Sequence, residues 1–312
     1  MTGRELAGKI CVVTGGNRGI GYETARALAE RGAHVVLACR NPARMRRALD
    51  ALERVSTPER VEGIELDLSS LAAVRHSAEG LRARHPRIDV LVNNAGVMAV
   101  PERRTRDGFE LNLGVNHLGH FAFTGLLLPA LLAAQQARIV SVSSVLHRGV
   151  QFDWADIPRP RSYEARRAYG GSKLLTLLFA YELDRRLKRS GASAVSVACH
   201  PGYTENDAAQ ADSDVTGPRW RVLASRVAKR VLGQPAAEGA RPSLHAATAR
   251  DLRGGEYVGP SAYWGLRGAP CITASSAESY DRESAERLWQ ISETLTGVRF
   301  AFHVMTVRAR VK

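Results

Sequence analysis

Cysteine is scarce in this chain and nowhere paired. Cys11, Cys39, Cys199 and Cys271 stand alone among 312 residues, without CxxC spacing and mostly inside apolar runs. No disulfide and no zinc or other metal site is therefore expected, and the thiols read as buried small side chains in a reducing compartment. The N-terminus, MTGRELAGKICVVTGG, lacks an apolar run between charged and cleavable flanks, so no secretory leader is expected. No later stretch is read as reaching the roughly 18 uncharged apolar residues of a membrane span. These absences together point to a cytoplasmic location. Acidic residues are outnumbered, 31 against 44 Lys and Arg, for a net charge of +13. The basic side chains are spread along the chain and no nucleic-acid-reading motif accompanies them, so the excess reads as a solvated arginine-rich surface and no nucleic-acid partner is expected. Linkers and internal repeats are also missing before about residue 200.

What the chain does have is alternation. Short β-branched runs at 10–13, 34–37, 61–66, 90–92, 138–142 and 195–198 alternate with helical patterns. Such runs separated by helices point to an α/β fold, a doubly wound parallel sheet with helices on both faces. One domain is expected over residues 1–300, with an irregular, Pro- and Gly-richer substrate segment inserted at about 203–235 and a tail at 301–312. Within the insertion, RWRVLASRVAKRVL places Trp220, Leu223, Val227 and Val231 on one helical stripe. This stripe reads as a lid over an apolar pocket, as a plainly packed surface helix, or as a basic amphipathic helix on an anionic membrane. The final AFHVMTVRARVK reads as a frayed tail, with an edge strand or a subunit contact as alternatives.

The first strand-to-helix turn is Thr14-Gly15-Gly16-Asn17-Arg18-Gly19-Ile20-Gly21. Glycines there permit a tight turn, let backbone N–H groups approach a pyrophosphate and draw the N-terminus of the next helix toward the anion. About 20 residues further on, an acid usually binds the ribose 2′-hydroxyl. Here the residues are Cys39-Arg40-Asn41, with no acid among them. Guanidinium groups at Arg40 and Arg18 suit a 2′-phosphate instead, so the expected cofactor is NADP(H) rather than NAD(H).

In Ala168-Tyr169-Gly170-Gly171-Ser172-Lys173 a phenol and an ammonium stand four residues apart, one above the other on a helix. A phenol titrates near ~10, poorly matched to neutral pH, and a neighbouring ammonium favours its phenolate. Tyr169 is thus an acid/base candidate and Lys173 its tuner. Tyr163 precedes Arg167 by the same spacing, but it lies nearer the preceding loop, beside the carboxylate of Glu164 and without the small-residue step. Tyr169 is preferred.

Thr14-Gly15-xxx-Gly19-x-Gly21, Asp67-Leu68, Asn93-Asn94-Ala95-Gly96, Asn116, Ser143-Ser144, Tyr169-xxx-Lys173 and His200-Pro201-Gly202 follow one another in the chain. In this order the sequence resembles the short-chain dehydrogenase/reductase family over roughly residues 8–260. The resemblance implies a single-domain Rossmann fold and a catalytic set of Asn116, Ser144, Tyr169 and Lys173. Ser144, rather than Ser143, would hydrogen-bond the substrate oxygen. Tyr169 would exchange the proton, Lys173 would also hold the nicotinamide ribose, and Asn116 would bind a water that resupplies protons. It further implies a cofactor surface of Gly15, Asn17, Arg18, Gly19, Ile20 and Gly21, with Arg40 and Asn41 at the 2′-phosphate. Asp67 and Leu68 would flank the adenine, and Asn94, Ala95 and Gly96 would lie against the cofactor. Pro201, Gly202 and Thr204 would sit at the nicotinamide, although Tyr203-Thr204-Glu205 brings the threonine earlier than the family pattern does.

Leu37-Ala38-Cys39-Arg40-Asn41, Gly233–Ala240 and Tyr257-Val258-Gly259-Pro260 resemble the retinol dehydrogenase and WW-domain oxidoreductase branch. Bulky apolar alcohols, aldehydes or ketones are then the implied substrates. The leading reading is an NADP(H)-dependent ketoreductase or alcohol dehydrogenase for an apolar substrate, of the kind that tailors secondary metabolites. The other is a non-catalytic NADP(H)-sensing protein on the same fold, which would not need the acid and its tuner. No membrane contact is expected, and the resemblance allows a homodimer or homotetramer, since in the family the helices matching those of Asn116 and Tyr169 often form subunit contacts.

Overall fold

The six β-branched runs become six parallel strands: β1 (Ile10–Thr14), β2 (His34–Cys39), β3 (Val61–Glu65), β4 (Val90–Asn93), β5 (Arg138–Val142) and β6 (Val195–Cys199). The computed structural model describes residues 5–98, 100–150, 154, 157, 163–204 and 233–302. The stripe at 219–232 and residues 303–312 lie outside them. Two further strands complete the sheet, β7 (Tyr257–Ala262), parallel to β6, and β8 (Arg267–Ile272), antiparallel to β7. The order is β3-β2-β1-β4-β5-β6-β7-β8. β7 and β8 gave no sequence signal because YVGPSA and RGAPCI carry glycine and proline in place of β-branched residues. Proline is tolerated at this edge, where the pairing shifts register between Pro260 and Ala262.

Helices α1 (Gly19–Glu30), α2 (Pro42–Leu52) and α6 (Ala236–Thr248) cover one face, and α3 (Leu71–Arg84), α4 (Gly119–Leu132), α5 (Ala165–Arg189) and α7 (Arg282–Thr296) the other. The strands' period of two sorts the core. Cys11, Val13, Val35, Leu37, Val92 and Val140 face the first group, while Val12, Val36, Ile64, Leu91 and Ile139 face the second. Strand order reverses between β1 and β4, which opens a crevice at the strands' C-terminal ends.

Leu113–Leu132 corrects the sequence reading that no stretch reaches membrane-span length. Its 20 residues contain no Asp, Glu, Lys or Arg, and 83% of its most apolar window is buried. A π-helical turn, Leu113–Leu118, runs into α4, and α4 packs against α3 and α7. A helix that is apolar all round belongs in a core. The closing layer is aromatic: Trp289 of α7 and Phe300 stand 5.2 and 4.8 Å from Phe121 of α4 and 4.6 Å from each other. Phe302 continues it, 6.1 Å from Trp289.

Candidate active site and cofactor crevice

The site is built outward from the glycine turn. Gly15 and Gly19 take φ of +65° and +56°, where a side chain is strained. A Cβ on Gly21 would sit 2.6 Å from the Gly15 carbonyl and against the Asn94 amide. The Asn94 side chain donates to Thr14 O at 2.8 Å, and the Asn94 and Ala95 N–H groups each donate to Thr14 Oγ1 at 2.9 Å. The loop after β4 is thereby fastened to the turn.

Thr14 also meets His120 of α4, Oγ1 to Nε2 2.9 Å, while His120 Nδ1 lies 3.1 Å from the Asn116 carbonyl. A carbonyl only accepts, so Nδ1 carries the proton and Nε2 accepts from the Thr14 hydroxyl. Burial, opposed by the Asn116 bond and reinforced by Lys173, lowers His120 to about 4 and keeps it neutral. This Thr14–His120–Asn116 chain links the glycine turn to the π turn, and His120 is a residue that the sequence reading missed.

Asn116 lies in the π turn, a geometry that recurs at functional sites. Its Oδ1 accepts from Val97 N, and its Nδ2 donates to Val97 O and Ser172 Oγ, all at 2.9 Å. A Cβ on Gly96 would stand 3.2 Å from Asn116 Oδ1 and 3.6 Å from Lys173 Nζ. Tyr169 and Lys173 are both buried on α5. The Lys173 ammonium donates to Val142 O at 2.8 Å and stands 5.7 Å from the Tyr169 ring centre.

At the end of β5, Ser143 donates to Lys173 O at 2.9 Å. Ser144 caps the 3-10 turn Val145–His147, its Oγ accepting from Leu146 N at 3.2 Å, and His147 Nδ1 donates to the Ser144 carbonyl at 2.6 Å. Among the described residues the Ser144 hydroxyl proton has no acceptor, whereas that of Ser143 is committed.

One cavity of about 680 Å³ joins these parts. Its wall holds Tyr169, Lys173, Ser143 and all the expected cofactor residues except Gly202 and Thr204; Ser144 and Asn116 stand outside the wall. Asn41 is on the wall and also caps α2, accepting from Arg44 N at 2.9 Å. Asp67 accepts from Ser69 N and Oγ at 3.0 and 2.6 Å. Gly202, at φ +74°, lies tight against Leu266 O. Thr204 is buried in a bridge with Gln234, whose Nε2 donates to Pro201 O at 2.5 Å, so the two ends of the inserted segment meet.

Arg44 is a further cavity residue that the sequence reading passed over. It joins Arg18 and Arg40 on the wall, all three exposed and in no ion pair among the described residues. The available signal was Asn41-Pro42, a cap and first-turn proline that begin a helix beside Arg40. Val97, Met98, Val100, Val115 and Val142 give the cavity an apolar wall. Tyr163 is not on it; its hydroxyl donates to Val100 O at 2.5 Å, and burial, then Glu110, raise its pKa.

Residues 9–215 match the family model described as short chain dehydrogenase. The chain is 38% identical over 302 residues to retinol dehydrogenase 12 of Homo sapiens, covering 96% of this chain and 90% of that one. It is 38% identical over 301 residues to polyprenol dehydrogenase of Danio rerio, covering 95% and 89%. A crystal structure of an uncharacterised protein from Mycobacterium paratuberculosis superposes with a TM-score of 0.78 at 38% identity, covering 95% of this chain and 96% of that one. The Pseudomonas aeruginosa RhlG/NADP active-site complex superposes with a TM-score of 0.63 at 27% identity, covering 82% and 96%.

Proposed function

The chain belongs to the short-chain dehydrogenase/reductase family, and from that premise we propose that it is an NADP(H)-dependent oxidoreductase acting on an apolar carbonyl or alcohol. The observation that carries the proposal is a single cavity with the glycine turn on its wall and a buried Tyr169–Lys173 pair beside it. The nicotinamide cofactor, when bound, supplies or takes the hydride. Everything else falls to the chain's own side chains.

Tyr169 gives a proton to the substrate oxygen during reduction and removes it during oxidation. Lys173, held by Val142 O, favours the phenolate by its charge. Ser144, whose hydroxyl proton is uncommitted among the described residues, donates to the developing oxyanion. Asn116 stands beside Gly96 and Lys173, braced by Val97 and Ser172, and serves proton resupply as the family resemblance implies. Arg18, Arg40 and the newly found Arg44 would hold the 2′-phosphate, and the RhlG structure, with NADP, supports that preference. The relatives named for retinol and polyprenol support an apolar substrate, and the valine-rich wall suits one.

The test is consumption of NADPH, beside NADH, across aliphatic, polyene and polycyclic aldehydes and ketones. Turnover is expected with NADPH, falling by on the order of 10²-fold or more in Tyr169→Phe. Undiminished turnover in that variant would overturn the assigned chemistry, and a preference for NADH would overturn the cofactor assignment.

A further inference from the structure

At the end of β2 farthest from the crevice, three side chains from separate segments converge. His34 is the first residue of β2 and Glu62 the second of β3. Because Val36 pairs with Glu62, His34 and Glu62 share the sheet face covered by α3. α3 ends there with His85 as its C-cap.

One donor atom of each residue lies within 4.8 Å of the other two. Glu62 Oε1 is 3.5 Å from His34 Nε2 and in short contact with His85 Nε2, and the imidazole centres are 5.2 Å apart. At 3.5 Å the first contact is too long for a good hydrogen bond, and His34 Nε2 is buried with no hydrogen-bond partner. A closed hydrogen-bonded cluster would not leave that nitrogen unmet. Ligands at about 2.0–2.2 Å from a tetrahedral ion stand roughly 3.3–3.5 Å apart, the separation of His34 Nε2 from Glu62 Oε1, while the short His85–Glu62 contact would open as an ion entered between them.

We propose that His34, Glu62 and His85 form a binding site for a divalent transition-metal ion of the zinc class, with two imidazoles and one carboxylate as ligands and water completing the shell. Imidazole donors select zinc, nickel, cobalt or copper over magnesium and calcium. Arg84 donates to Glu62 Oε2 at 2.7 Å, which orients the carboxylate so that Oε1 faces the histidines. The side chains are 27%, 24% and 13% exposed, enough for an ion to enter from solvent. A bound ion would join β2, the edge strand β3 and the end of α3. The lack of CxxC spacing excludes cysteine sites only, and these ligands come from three distant segments.

The test titrates Zn²⁺ into the EDTA-treated full chain by calorimetry, with Co²⁺ absorption as a report on the ligand set and thermal melts with and without Zn²⁺. One site is expected in the wild type, with a melting temperature that rises with Zn²⁺. Glu62→Gln, which keeps an acceptor for Arg84, and His85→Ala should each weaken binding by roughly tenfold or more and lose the thermal shift. Circular dichroism certifies that each variant is folded, and His34→Gln replaces any that is not. No binding by the wild type would overturn the proposal. So would one equivalent bound equally well by the variants, since the ion would then sit elsewhere among the nine histidines.

Discussion

Ser143 and Ser144 are neighbours in the chain and differ in where their protons go. Ser143 spends its proton on Lys173 O, so Ser143→Ala should cost about 1 kcal/mol of stability in urea unfolding with little change in kcat. Ser144→Ala should lower kcat by roughly 10²-fold, as loss of one oxyanion donor does, on top of a stability loss of about 1 kcal/mol from its cap on Leu146 N, so kcat tells the two serines apart. The reverse pattern would exchange their roles. The three arginines make a second residue-level prediction. Arg40→Ala and Arg44→Ala should each raise the KM for NADPH by roughly 10- to 100-fold, the worth of one charge-assisted hydrogen bond, and leave NADH kinetics unchanged. Initial rates with the two cofactors decide this. Arg18 and Arg40 were legible in the sequence because they occupy named places in a motif; Arg44 was not, because its nearness follows from where α2 begins.

Among the elements, β1 to β6 were legible because strands buried on both faces must be short and β-branched. β7 and β8 sit at the margin, where that demand relaxes, and they escaped. A helix carrying Asn116 was expected; the π turn that opens it and the membrane-length run through α4 escaped. That uncharged run reports burial, and nothing in it marks the wider turn or the use of His120 as a tie. His120→Phe would remove both of its bonds while filling the volume. We expect a loss of about 1–3 kcal/mol and weaker cofactor binding, because Thr14 and Asn94 lose part of their anchor. Chemical denaturation and cofactor titration of the variant measure the two effects. Full retention of both would remove His120 from the site.

For the molecule as a whole, buried histidines set an acid limit. Burial lowers His117 to about 3, His120 to about 4 and His200 to about 3. Unfolded histidines titrate near ~6.5, so between roughly pH 6.5 and pH 4 the unfolded chain binds protons that the native one refuses. Stability is therefore retained above the unfolded value and lost as pH falls, by up to about 1.4 kcal/mol per histidine per pH unit. Melting temperature should drop steeply from pH 7 to pH 4.5, and a flat profile would contradict this. Burial also bears on assembly. Every residue of α5 from Tyr169 to Asp184 is buried, and α4 lies under α7 and Phe300. The helices expected to meet a partner subunit are already covered by the chain's own later residues, so any self-association should leave α5 amide exchange unchanged with concentration. Trp289→Ala should cost about 3–5 kcal/mol in urea unfolding.

That aromatic closure also has a meaning in time. Ribosomes add about 5–20 residues per second, and residues 282–302, which cover α4 and α5, come more than a hundred residues after α4 has been made. For that interval the nascent chain carries the uncharged α4 and the apolar face of α5 without that closing layer. Its fate in a cell turns on how well chaperones shield them until Trp289, Phe300 and Phe302 arrive.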